Sequence, residues 1–413
     1  MLRPARLPLP TRVAALALVA AGALARPAAL HAQHAPAAGA ATDTALPPAS
    51  PNGPRRPLAP ADPQRLLRDG AVRRALDALK ATNAATLDEQ VAICEIPAPP
   101  FKEQARGQAL ADRFRALGLA NVRIDAEGNV LGERPGTAPD GPLVVLSGHL
   151  DTVFPEGTDV RVRRDTIPLA EDRGGVRLTA PGIGDDCRGL AALLVVARAM
   201  RDANVRTAGT LVFVGTVGEE GPGNLRGVRR LFAETLKDRI DAFVSVDGTG
   251  LDVVTGAVGS VRLAVSYAGP GGHSYGAFGI PNPAHAAGRA VARLADLTVP
   301  NIPKTTFNVG VIGGGQSVNS IPSRVTFELD MRSEDADALA DLERRARAAL
   351  DTALAAERAR WPRSTVPLDL EIRDIGRRPA AQQRDDSPAA RTALAAARAL
   401  GFVSVTGANS TDA

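Results

Sequence analysis

The sequence predicts an α/β fold: a mixed sheet flanked by helices, with a smaller unit of order β-α-β-β-α-β inserted late in the chain. Three features carry that prediction. Uncharged apolar runs at 142–146, 211–217 and 242–246 alternate with amphipathic stretches, as buried strands alternate with the helices that cover them. From Ser260 the pattern changes to period two, with Val261, Leu263, Val265 and Tyr267 on one face. A length of 413 residues exceeds one ordinary core and fits about two domains.

In chain order, residues 1–32 read as a signal peptide. Arg3, Arg6 and Arg12 give a basic start, an apolar stretch runs from Val13 to Ala25, and small residues follow. The Ala/Pro-rich segment 33–63 has no apolar periodicity and reads as a linker. Helices are predicted from Pro63 through Ala81, over 86–94 up to the prolines at 97, 99 and 100, and over 103–117, which Gly118 ends. Short strands at 122–124 and 130–132 precede the buried strand 143–146. A helix over 190–200, a strand over 211–217, a helix over 225–234 and a strand over 242–246 complete the first part, 64–258. The inserted unit, 259–374, holds strands at 260–268, 305–312, 323–332 and 368–372 and helices over 282–294 and 336–358. The first domain then resumes over 375–413, with a helix over 387–400.

Composition excludes several function classes. The formal charge of +4 is carried by the signal segment, which holds four arginines and no acid, so the rest of the chain is formally neutral. Aromatics make up only 3%, and no basic stripe interleaves with them, so a nucleic-acid partner is not expected. No later segment is apolar enough to span a membrane. Cys94 and Cys187 are the only cysteines, too few for a four-thiolate zinc site and too far apart for a finger.

Each apolar strand ends on residues that carry chemistry. After the first come Gly148, His149 and Asp151; after the second, Glu219 and Glu220; after the third, Asp247. The stretch Gly182-Ile183-Gly184-Asp185-Asp186-Cys187-Arg188-Gly189 lies between the first two, just before an apolar helix. Singly, each carboxylate reads equally as a helix N-cap or a solvated loop residue. Parallel strands, however, deliver their ends to one sheet edge, where ligands gather. Six acids and one histidine there would repel one another unless cations neutralised them. Nitrogen and oxygen donors without thiolate suit zinc, manganese or cobalt. Adjacent Glu219 and Glu220 point apart, so one can bind metal while the other faces substrate and water as general base.

Together, the His149–Asp151 motif, the Asp185-Asp186 loop, Glu219-Glu220-Gly221 and Asp247 resemble the co-catalytic zinc peptidase/deacylase family. That family includes glutamate carboxypeptidase, peptidase T, acetylornithine deacetylase and succinyl-diaminopimelate desuccinylase, and the likeness runs from about residue 85 to the end. It implies a zinc-exopeptidase-like fold whose inserted unit is a ferredoxin-like lid or dimerisation domain. It also implies two divalent metal ions, zinc first and cobalt or manganese as alternatives. By motif, His149 binds one metal and Asp151 orients it. Asp185 bridges both metals, Asp247 completes the first, Glu220 binds the second, and Glu219 is the general base. The peptide after Asp185 is expected to be cis. His273 matches a lid histidine that stabilises the oxyanion across a homodimer, and Asn319 and Arg332 match substrate-contacting positions. By their residues alone, His273 reads equally as a locally bonded turn histidine and Arg332 as a surface ion pair. His285, on a helix, reads as structural.

Two departures accompany the likeness. Cys187 stands where many relatives carry Lys and is expected to be a small buried residue. Relatives continue past the Ser410-Thr411-Asp412 segment to a late metal-binding histidine, and no histidine follows His285 here. The expectation is therefore a truncated sequence with an incomplete second metal site. The functional expectation is an exported metallo-exopeptidase, periplasmic or secreted, that cleaves short peptides as an aminopeptidase or di-/tripeptidase. The alternatives are an N-acyl amino acid deacylase and a degenerate homologue that binds peptide or metal without turnover.

Overall fold

The computed structural model describes residues 62–169, 173–384 and 387–410; the expected signal segment and all but the last two linker residues lie outside them. The described residues form two compact units, one of residues 62–253 and 384–406, the other of residues 254–383 and 407–410. Among the described residues no helix is long and apolar enough to cross a membrane.

In the first unit, α1 (Pro63–Leu66), α2 (Gly70–Ala81), α3 (Asn83–Cys94) and α4 (Gln104–Ala116) precede β1 (Ala120–Ile124), β2 (Val130–Arg134) and β3 (Leu143–His149). A hairpin of β4 (Arg163–Leu169) and β5 (Arg173–Thr179) leads to α5 (Cys187–Asp202), β6 (Thr210–Thr216), α6 (Arg226–Arg230) and β7 (Ala242–Ser245). The sheet order is β1-β2-β6-β3-β7, with β3 parallel to β6 and β7 and the β1–β2 edge antiparallel. All seven residues of β3 are buried, which explains its lack of polar alternation. Val144 and Leu146 face a core shared with Leu79, Phe114, Leu190 and Leu194, whereas Leu143 and Val145 face Leu231, Leu236 and Ile240.

Some local features differ from the sequence expectation, beginning with the stretch 63–81, which is two helices, α1 and α2. The helix expected over 225–234 ends as α-helix at Arg230 and continues as a π-turn, Leu231–Thr235. That wider turn, closed by Leu236 N donating to Leu231 O at 2.8 Å, sends both leucines into the same core. The β4–β5 hairpin was not expected: apolar alternation in it is limited to Ile167 and Leu169 in one strand and Val176 and Leu178 in the other, among arginines, glycines and other polar residues.

The second unit begins with β8 (Val253–Ala257), β9 (Gly259–Ala268) and β10 (Gly272–His273). There follow α7 (Pro283–Ala295), β11 (Thr305–Gly314), β12 (Ser320–Ile321), β13 (Arg324–Ser333), α8 (Ala336–Ala359), β14 (Asp369–Arg378) and β15 (Ala381–Gln382). Its main sheet, β11-β13-β9-β14, is antiparallel throughout. Val261, Leu263, Val265 and Tyr267 share one core with Ala286, Ala290 and Leu294 of α7 and Leu342 and Leu350 of α8. The β-α-β-β-α-β order of β9, α7, β11, β13, α8 and β14 is the one the sequence predicts. Beyond it, α9 (Pro388–Ala399) belongs to the first unit, and β16 (Thr406–Asn409) joins β8 and β15 in a small sheet.

Candidate metal centre

The parallel strands place the site. β3 ends on His149, β6 ends two residues before Gly218-Glu219-Glu220, and β7 ends two residues before Asp247. Because β3 pairs in parallel with both others, these three ends share one edge. Gly218 turns the chain there with a left-handed φ of 64°.

The fourth contributor, Asp185-Asp186, precedes α5, and the peptide between the two residues is cis. Asp186 is buried; its Oδ1 accepts from Gly189 N at 2.8 Å as N-cap of α5, and its Oδ2 accepts from His149 N at 2.8 Å. Gly148 permits that approach, since a Cβ on it would lie 2.7 Å from Asp186 Oδ2. The capping role of Asp186 was open to the sequence; its hold on His149 was not.

His149 is fully buried. Its Nε2 lies 2.7 Å from Asp185 Oδ1 and 3.8 Å from Asp247 Oδ1, while Nδ1 lies 3.6 Å from Asp151 Oδ1, outside hydrogen-bond range. Asp151, also buried, accepts from Glu219 N at 3.1 Å and Glu220 N at 2.8 Å, which ties the β6 loop to the end of β3. Asn129 supports the same loop, its Oδ1 accepting from Val217 N and its Nδ2 donating to Gly227 O.

Electrostatics follow from burial and crowding. Burial opposes a charged His149 ring, yet the carboxylates of Asp151 and Asp185 outweigh it and hold the imidazole well above its ordinary value. For Asp151 burial acts in the opposite direction and would raise it, but His149 and the two backbone N–H groups lower it. Glu220 is pushed up to about 7, first by burial and then by the charge on Asp185.

Among the described residues, two sets of donors have ligand atoms within 4.8 Å of one another: His149, Asp185 and Asp247, and His149, Glu219 and Glu220. A tetrahedral metal with bonds of about 2.0–2.2 Å sets neighbouring donors roughly 3.4 Å apart. The separations of 2.7 and 3.8 Å around His149 Nε2 bracket that value, so this donor set fits a divalent cation. Beside it opens a cavity of about 440 Å³ whose walls include Asp185, Glu220, Val153, Phe154 and Ile183.

His273, Asn319, Arg332 and His285 lie in the second unit. His273 is exposed, and its Nδ1 accepts from Tyr275 N and Gly276 N at 3.3 Å each, which leaves the ring proton on Nε2. Asn319 lies beside it, its carbonyl accepting from Ser274 N at 2.9 Å. Arg332 is half-buried and pairs with Asp330 at 2.8 Å, an acid that also takes a bond from Arg262. His285 lies 3.8 Å from Glu357. Cys187 and Cys94 are buried and unbridged.

A sheet edge that collects a buried histidine and several carboxylates from parallel strand ends defines an α/β protein built around a metal-type donor cluster. The chain belongs to peptidase family M20/M25/M40, whose sequence profile matches residues 145–413. It is 31% identical over 254 residues to a succinyl-diaminopimelate desuccinylase of Cupriavidus necator, covering 58% of this chain and 62% of that protein. A desuccinylase of Leptothrix cholodnii is 30% identical over 272 residues, covering 62% of this chain and 69% of that one. The matched stretch thus spans less than two thirds of the Cupriavidus protein. In fold, the chain is similar to a tripeptidase from Staphylococcus aureus (TM-score 0.62, 22% identity, 79% of this chain and 85% of that one). It is also similar to the aminopeptidase PepT of Bacillus cereus (TM-score 0.59, 19% identity, 79% and 85%).

Proposed function

We propose that this chain hydrolyses amide bonds of short peptides with divalent metal and Glu219 as general base. The observation that supports it is the convergence of His149, Asp185, Asp247, Glu219 and Glu220 on one sheet edge beside an open cavity. In this reading His149, Asp185 and Asp247 hold one cation, and Asp185 and Glu220 hold the second, with zinc favoured over cobalt or manganese. A cation bound there would supply Lewis acidity toward the scissile carbonyl and the attacking water. Glu219 takes a proton from that water at a carboxylate oxygen and passes it to the departing amine nitrogen. Asp151 keeps base and ligand in register through the amides of Glu219 and Glu220. His273 offers an Nε2–H donor suited to a developing oxyanion, in a family-type homodimer, and Asn319 and Arg332 grip the substrate. The basic start and the apolar stretch from Val13 to Ala25 support export to the periplasm or beyond.

Deacylation of an N-acyl amino acid is the second reading. It uses the same catalytic residues and is favoured by the desuccinylase names of the sequence relatives. A panel of dipeptides, tripeptides and N-succinyl and N-acetyl amino acids separates the two by relative kcat/KM. On the preferred substrate, Glu219→Gln should lose about 10²- to 10⁴-fold in kcat, with bound metal unchanged by elemental analysis. Undiminished turnover by that variant would remove Glu219 from the reaction.

A further inference from the structure

Arg106 on α4 is wholly buried, and among the described residues it has no carboxylate within ion-pair distance. Its guanidinium is spent on three backbone carbonyls. Nη1 donates to Leu150 O at 2.8 Å, Nε to Ile96 O at 3.0 Å, and Nη2 to Ile96 O at 2.7 Å and Cys94 O at 3.2 Å. A buried charge without a counter-ion is costly, so space-filling alone does not account for it. What the guanidinium adds is a planar fork of donors in fixed directions.

Leu150 separates His149 from Asp151, and both of its peptide groups are pinned. Its N–H donates to Thr216 O at 2.7 Å, at the end of β6, and its carbonyl is the one that Arg106 holds. The angle between the His149 and Asp151 side chains depends on those two peptide planes. Asp151 in turn sets the amides of Glu219 and Glu220.

We propose that Arg106 is a positioning residue for the metal centre: by fixing the Leu150 carbonyl it aligns Asp151, and through Asp151 it aligns Glu219 and Glu220. The inference rests on the reading of the site as a metal centre, and its test separates the two. Arg106→Lys keeps the charge and loses the fork; Arg106→Gln keeps donors and loses the charge. Leu79→Ala, a truncation elsewhere in the core, supplies a destabilised control.

Hydrogen exchange is read on the full chain without added metal, followed by titration with Co²⁺ monitored by its visible absorption. In the parent, the amides of Leu150, Glu219 and Glu220 should exchange as slowly as those of β3. Both Arg106 variants should speed exchange at Glu219 and Glu220 about tenfold or more, weaken Co²⁺ binding about tenfold or more and shift its spectrum. Leu79→Ala should lower Tm without those changes. Unaltered exchange and spectrum in a folded Arg106 variant would overturn the proposal, as would the same changes in Leu79→Ala or fast exchange of these amides in the parent. A parent that binds no Co²⁺ contradicts the metal reading instead, and the exchange data still decide whether Arg106 orders the segment.

Discussion

Asp186 joins two elements with one side chain: the amide of His149 at the end of β3 and the first turn of α5. Replacing it with Ala removes an N-cap and leaves a buried His149 N–H without its acceptor, a combined cost of about 2 kcal/mol or more. Urea denaturation should show that loss for Asp186→Ala, with less for Asp186→Asn; equal stability of Ala variant and parent would contradict the role. At this scale the sequence is informative where chemistry is local. His149, Asp185, Glu219, Glu220 and Asp247 are legible because each follows an apolar run or precedes an apolar helix. The Asp186–His149 contact spans 37 residues and the Arg106–Leu150 contact 44, and neither has a local pattern to announce it.

Elements were read from the sequence to the extent that burial wrote a period into it. β3 and the face of β9 that packs on α7 and α8 are uniform or alternating because water is excluded from both faces or from one. The β4–β5 hairpin left only two apolar positions per strand, too short a period to read, and the two-residue ladder of β10 and β12 left none. Across α8 and β14, Glu343 and Asp374 share Arg347 and Arg377 in a network that no periodicity reveals. Arg377 holds the Glu343 carboxyl below its ordinary range; for Asp374 burial pulls upward, and the two arginines overcome it. Folded values below unfolded ones mean that the network's stability is whole above the ordinary carboxylate pKa of about 4 and is lost as pH falls through the folded values. Because these groups are partly exposed, the effect is modest. Glu343→Gln should therefore flatten the dependence of Tm on pH below about 5 relative to the parent; parallel curves would show that the network adds no pH-dependent stability.

For the whole molecule, two cores serve different ends. The first unit carries every donor of the candidate metal centre. The second carries His273 and Asn319, side by side, and Arg332, which is bonded to Asp330. The order of the main-sheet strands and of the helices that cover them was open to sequence reading, because strand and helix periods differ and apolar runs mark the sheet. Substrate choice was not, because it depends on cavity shape and not on period. On the reading proposed above, the ends of β3, β6 and β7 form a divalent-metal centre. The most direct measurement is an anomalous difference map, at the zinc absorption edge, from crystals of the full chain grown with Zn²⁺. A peak within bonding distance of His149 Nε2, Asp185 and Asp247 is the predicted result; Zn²⁺ bound only elsewhere, with that cluster empty, would contradict it.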